Sequence, residues 1–233
     1  PMQCEYYALE GLSDLVETLE LHNLMANAIT TVYGAEARKG LDAFDASPDC
    51  RPNLLACLLG GAVPPSRIEA DPTPLLVRLN ADVEYRPDPL WTFSLETQVQ
   101  VTSDPLPAFE EIAAGNFSIG RGYDPGAVLG DSGIMSAFEM RYGSLVSKNA
   151  SGLAFQPYLF TDVAYVWNED PSRSPTNPDR LWSAGGGLRV SWAPGVQSDF
   201  LIAVPLQRPD LAADRGDVRF MFTLTARLLP WRY

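Results

Sequence analysis

Histidine is all but missing from this chain: His22 is the only one, and it lies in an ambiguous N-terminal segment, residues 1–26. No G-x-S-x-G motif is present either, so a hydrolase of the serine–histidine type lacks its parts. No Gly-Lys-Ser/Thr run follows a glycine-rich turn, which removes a P-loop. With three cysteines, no second Cys pair and one histidine, a zinc site has too few ligands. No metal and no cofactor is indicated, and the chain is not expected to be an enzyme. Cations are also scarce, 17 Lys and Arg against 29 Asp and Glu, for a net charge of −12. That balance argues against nucleic acid as a partner, because phosphates would be repelled. No uninterrupted apolar run reaches the ~18 residues of a transmembrane helix, which says nothing of a membrane β-barrel. The opening "PMQCEYY" lacks the basic, apolar and cleavage regions of a signal peptide, and the chain reads as part of a longer one.

What the sequence has in quantity is alternation. In residues 74–85, Leu75, Val77, Leu79, Ala81, Val83 and Tyr85 share one face, and Arg78, Asn80, Asp82 and Glu84 the other. In 90–101, Trp91, Phe93, Leu95, Val99 and Val101 oppose Thr92, Ser94, Glu96, Gln98 and Gln100. In 133–142, Ile134, Phe138, Met140 and Tyr142 oppose Glu139 and Arg141. In 155–167, Phe155, Leu159, Val163, Tyr165 and Trp167 oppose Gln156, Tyr158, Phe160 and Asp162. Residues 181–192, 198–206 and 218–228 continue the pattern. Period-2 alternation with no helical pattern between predicts an all-β, antiparallel architecture.

Three features favour a transmembrane β-barrel over a soluble sandwich. The strands run nine to thirteen residues, close to the ~9–11 that cross a bilayer. Tyr85, Trp91, Tyr142, Trp167, Trp182 and Trp192 sit near strand ends, where membrane barrels carry aromatic girdles. Connections also alternate between long (45–73, 102–132, 168–180, 207–217) and short (86–89, 143–154, 193–197), as in outer-membrane barrels with short periplasmic turns and long outer loops. The expected localisation is the bacterial outer membrane, with its lipid as a partner. Residues 27–44 make an eighth strand. Residues 1–26 admit two readings: a helix on the spacing of Leu12, Leu15, Val16 and Leu19 with Ser13 as N-cap, or a worn strand. Cys50 and Cys57, in "CRPNLLAC", could close a small disulfide in an oxidising compartment or stay free thiols.

"FSIGRGYDPGAVLGDSG", residues 117–133, breaks the pattern with five glycines and a lone cation, Arg121. Its composition speaks against regular helix or strand. A loop tip bending back inside a barrel needs glycine where the backbone turns sharply or nears the wall, and a cation there needs a partner. Asp162 and Glu139 both face inward by their alternation. The plainer reading is a solvated surface loop.

The stretch 105–143 resembles the outer-membrane transporters of two-partner secretion, the haemolysin secretion/activation family. The matching pieces are Arg121-Gly122-Tyr123, the run Gly130, Asp131, Ser132, Gly133 with Glu139 beyond it, and Phe160 and Asp162 in "LFTD". "GLDAF" at 40–44 is a weaker match. The resemblance spans roughly 27–228. It implies a barrel of roughly sixteen strands, of which residues 27–233 would be the C-terminal part, about eight strands, without the preceding POTRA domains. It further implies that loop 102–132 folds into the lumen with Arg121 at its tip, paired with Asp162 on the wall, Glu139 being the next partner. The implied function is secretion of a large exoprotein, haemolysin- or adhesin-like. The implied partners are the unfolded exoprotein and the barrel assembly machinery. A related reading is a barrel assembly or insertion factor of the same superfamily; a remote one is a barrel-anchored hydrolase, for which Glu96, Asp82 and Glu84 would be the carboxylates at hand. The ending "LLPWRY" departs from the family, whose barrels close on an aromatic-ended strand, since Pro230 breaks the alternation.

Overall fold

The computed structural model describes residues 4–7, 15–22, 28–41, 49, 55, 59, 66–115, 118–146, 152–170, 177–193, 195–209 and 216–227. Among these, twelve strands form: β1 (Cys4–Tyr7), β2 (Leu15–His22), β3 (Ile29–Lys39), β4 (Leu75–Tyr85), β5 (Trp91–Thr102), β6 (Ile112–Ala114), β7 (Val128–Gly130), β8 (Ser132–Tyr142), β9 (Ala154–Trp167), β10 (Asp179–Ala193), β11 (Val196–Pro205) and β12 (Arg219–Ala226). Ten of them make one antiparallel meander in the order β1-β2-β3-β4-β5-β8-β9-β10-β11-β12. The remaining two, β6 and β7, are a small hairpin inside the connection between β5 and β8. The sheet has β1 and β12 as its edges, and no pairing joins them among the described residues.

Ten strands exceed the eight read from the sequence because the N-terminal segment is extended. Residues 15–22 pair in register with β3, from Leu15 opposite Lys39 to His22 opposite Val32. The helical spacing of Leu15, Val16 and Leu19 loses to pairing with β3 on one side and, over Val16 to Leu19, with β1 on the other, which gives the backbone groups strand partners; Leu12 and Ser13 lie outside the described residues. A second correction concerns 117–133. Val128–Gly130 is strand, paired with Ile112–Ala114, and Ser132 already opens β8. Glycine is tolerated there because other backbone runs close by: a Cβ on Gly130 would lie 2.9 Å from the carbonyl oxygen of Trp167.

The faces of the sheet are inverted relative to a protein that folds in water. Leu79, Phe138, Leu159, Trp182, Ile202 and Phe222 lie exposed on one face. The other buries Gln100, Glu139, Asp162 and Ser183. An exposed apolar surface of this extent is a liability in water and is what lipid solvates. Rings tie neighbouring strands on that face, with Trp91 against Tyr142 at 5.0 Å and Phe200 against Phe222 at 4.9 Å. Aromatics collect at both rims: Tyr85, Trp91, Tyr142 and Trp192 at the short-turn ends, and Tyr165, Trp167 and Trp182 at the ends carrying the longer connections.

Candidate functional site

The connection 103–131 does not stay at the rim. It folds onto the inward face, where Ile112, Ala114, Ile119, Tyr123 and Val128 pack against Met135, Ala137, Ala164, Val166 and Leu181 of β8, β9 and β10. The apolar residues of the loop and small ones of the wall make a local core in an otherwise polar surface. Burying this cluster fixes the loop; the charges at its tip then fix its position.

The tip is a tight turn. Gly120 sits at φ 86°, a left-handed conformation that a side chain would strain, and a Cβ there would lie 2.7 Å from the amide nitrogen of Gly115. The Tyr123 amide donates to the Gly120 carbonyl at 2.9 Å. Gly122 touches the wall, since a Cβ on it would come within 2.8 Å of Ser183 Cβ. This geometry points Arg121 at β9 and β8.

Arg121 is 6% exposed and Asp162 not at all. The guanidinium holds Asp162 in a fork, Nη2 to Oδ1 at 2.7 Å and Nε to Oδ2 at 3.0 Å. Its third nitrogen, Nη1, donates to Glu139 Oε2 at 2.8 Å. The backbone amides of Gly120 and Arg121 also donate to Asp162 Oδ2, at 3.1 and 2.9 Å. The cation sits over the Phe160 ring, Cζ 3.6 Å from its centre, a cation–π contact that strengthens where water is excluded. Phe160 in turn lies across Gly185, its register partner on β10, where a Cβ would be 2.6 Å from the ring. Tyr123 contributes through its hydroxyl as well as its ring. The hydroxyl oxygen lies 2.7 Å from the Trp182 carbonyl and 2.6 Å from the Gln207 carbonyl, to either of which it can donate its one proton, and it accepts from the Gln207 amide (3.0 Å).

Glu139 is shared. Besides Arg121, it accepts from Arg141 Nε at 2.6 Å and from Arg189 through two nitrogens at 2.7 and 3.1 Å. Arg189 lies over Tyr158 at 4.2 Å and reaches Asp199 at 3.2 Å, and the Tyr158 hydroxyl donates to Asp199 at 2.8 Å. Arg141 continues to Glu84 at 3.1 Å. A charged lattice thus crosses the inward face from β4 to β11. Sequence reasoning had Arg141 and Tyr158 on this face but not Arg189. The alternation of Ser183, Gly185, Gly187 and Arg189 along β10 was its available signal.

Asp131 and the flanking Gly130 and Gly133 stand elsewhere, at the root of the loop. Asp131 is fully buried and accepts from Arg67, from the Leu106 amide at 2.8 Å and from the Glu169 amide at 2.8 Å. Arg67 carried no periodic signal in the sequence. Cys50 and Cys57 lie outside the described residues. Of the carboxylates considered for catalysis, Glu84 is paired with Arg86 at 2.6 Å and with Arg141, and Asp82 stands opposite Glu96 across β4 and β5. Among the described residues no group of His, Cys, Asp and Glu is arranged to hold a metal ion.

Comparison with solved structures finds CdiB from Escherichia coli at a TM-score of 0.66 and 17% identity, over 94% of this chain and 38% of that one. The likeness is one of fold, an antiparallel transmembrane β-barrel to which this chain contributes adjacent strands, and the chain spans well under half of that structure's length. A comparison with curated proteins gave no match. A family model, haemolysin secretion/activation protein ShlB/FhaC/HecB, matches residues 16–190, which include the tip, the root and both wall carboxylates. On that match the chain belongs to the ShlB/FhaC/HecB family, proteins of the Gram-negative outer membrane.

Proposed function

We propose that this chain is the C-terminal part of a transporter that exports a large protein across the outer membrane by two-partner secretion. Connection 103–131 acts in it as a plug latched to the wall by Arg121. The observation that carries the reading is the buried fork from Arg121 to Asp162, extended to Glu139, at the tip of a loop packed against the inward face. A path for an unfolded polypeptide needs a polar lining that binds no segment tightly. Ser94, Glu96 and Gln98 on β5 supply such a lining. The longer connections would face the cell exterior and the short turns the periplasm. The partners are outer-membrane lipid on the apolar face, the unfolded exoprotein inside, and the assembly machinery that inserts the barrel. The work is conformational, so no step of bond chemistry is required. The family match favours export over the insertion of other barrels.

The test uses the full-length transporter in cells. Arg121→Ala and Asp162→Ala should each lower the exoprotein reaching the medium by roughly tenfold, the effect of losing one decade of an equilibrium constant, while heat-modifiable barrel remains in the outer membrane. Normal secretion by both inserted variants would contradict the reading.

A further inference from the structure

The root of loop 103–131 carries a second ionic cluster that, among the described residues, shares no partner with the tip. Asp131 Oδ1 accepts from Arg67 Nη1 and from the Leu106 amide, while Oδ2 accepts from the Glu169 amide. Three connections therefore meet on one carboxylate: 40–74 through Arg67, 103–131 through Leu106 and Asp131 itself, and 168–178 through Glu169. Arg67 is 8% exposed, and its Nη1 also lies 3.3 Å from Glu111 Oε1 and from the Leu106 carbonyl. Asp170 stands 4.0 Å from its Nη2. One buried guanidinium thus holds carboxylates that would repel one another without it. Gln100, from β5, braces the same point by donating to the carbonyls of Glu110 and Asp131, each at 2.9 Å.

The two clusters are well separated. The Asp131 amide donates to the Trp167 carbonyl at the end of β9, five residues beyond Asp162. At about 3.3 Å per residue of strand, that is about 17 Å along the wall. We propose that Arg67 and Asp131 form a second latch, which pins the root of the plug and ties the two neighbouring outer connections over it. The plug is then held at both ends, and releasing it requires the rim to loosen as well as the tip. Arg67 acts as a positioning residue for the plug. This inference rests on the reading of 103–131 as the gate of a transporter.

A single reporter cysteine, Ala127→Cys, placed in a full-length transporter whose native cysteines are replaced, reads the plug's position. Ala127 is partly buried against the plug core. Its labelling rate on whole cells by a membrane-impermeant thiol reagent is compared in three backgrounds: unchanged, Arg121→Ala and Arg67→Gln. The second latch predicts that Arg67→Gln speeds labelling by at least roughly tenfold, because a broken buried charge contact is worth more than one decade. Faster labelling with Arg121→Ala but not with Arg67→Gln overturns the second latch and leaves the gate intact. No acceleration with either overturns the gate reading, and the latch with it. Hydrogen exchange on the chain with its native residues needs no variant to fold. The amides of Leu106 and Glu169 should be protected as strongly as that of Arg121, and exchange at the rate of exposed loop amides would overturn the proposal.

Discussion

Arg121 meets two carboxylates that approach from different strands, and it does so over the ring of Phe160. A guanidinium offers five N–H donors in one plane, whereas an ammonium is a compact charge on a flexible stem. Arg121→Lys should therefore keep the charge and lose part of the fork. We expect it to cost about 1.5–3 kcal/mol, the worth of a hydrogen bond to a charged group. Arg121→Ala, which leaves Asp162 buried and uncompensated, should cost about 3–5 kcal/mol. Urea titration of the barrel in lipid vesicles ranks the three proteins, and a Lys variant as stable as the unchanged chain would show that the fork does not form. The residues of this contact are legible in the sequence as far as alternation reaches, since Asp162 and Glu139 occupy inward positions of β9 and β8. Alternation says nothing about which partners converge. Arg189 and Arg141 both reach Glu139, and Arg67 reaches Asp131 from another connection. Contacts between distant segments leave no local period to read.

At the scale of the element, the exposed and buried faces follow from a period of two, because successive side chains leave opposite sides of a strand. That is why β4, β5, β8 and β9 begin and end within a residue of where the pattern places them. The pattern fails where composition conflicts with pairing. Residues 15–22 carry a helical spacing and pair as strand, and the glycine-rich 128–130 forms a short ladder with 112–114. The inversion of the faces gives a direct prediction. Leu79 is exposed near the middle of β4, and Gln98, on β5, faces inward. Leu79→Arg should destabilise the membrane-inserted barrel by ~2–4 kcal/mol, and Gln98→Arg should be nearly neutral. The same titration checks it, and equal sensitivity of the two faces would indicate a sheet buried on both sides.

At the scale of the whole molecule, ten strands lie side by side and a loop between the fifth and the next of them reaches across to β9, β10 and the end of β11. Arg121 is separated from Asp162 by 41 residues of sequence, and Tyr123 from Gln207 by 84. Such contacts stabilise the sheet little, since the desolvation of a buried ion pair offsets much of its attraction. Their effect is to select one position for the loop among those that apolar packing alone would allow. The account thus depends on Arg121 and Asp162 acting through a single contact, and a double-mutant cycle tests this most directly. Arg121→Ala, Asp162→Ala and the double variant of the full-length transporter would be unfolded by urea in lipid vesicles. The account predicts that the double variant is less destabilised than the sum of the singles, with a coupling of about 0.5–3 kcal/mol. Losses that add within about 0.5 kcal/mol would contradict it, because they would mean that the tip of the loop and the wall do not meet.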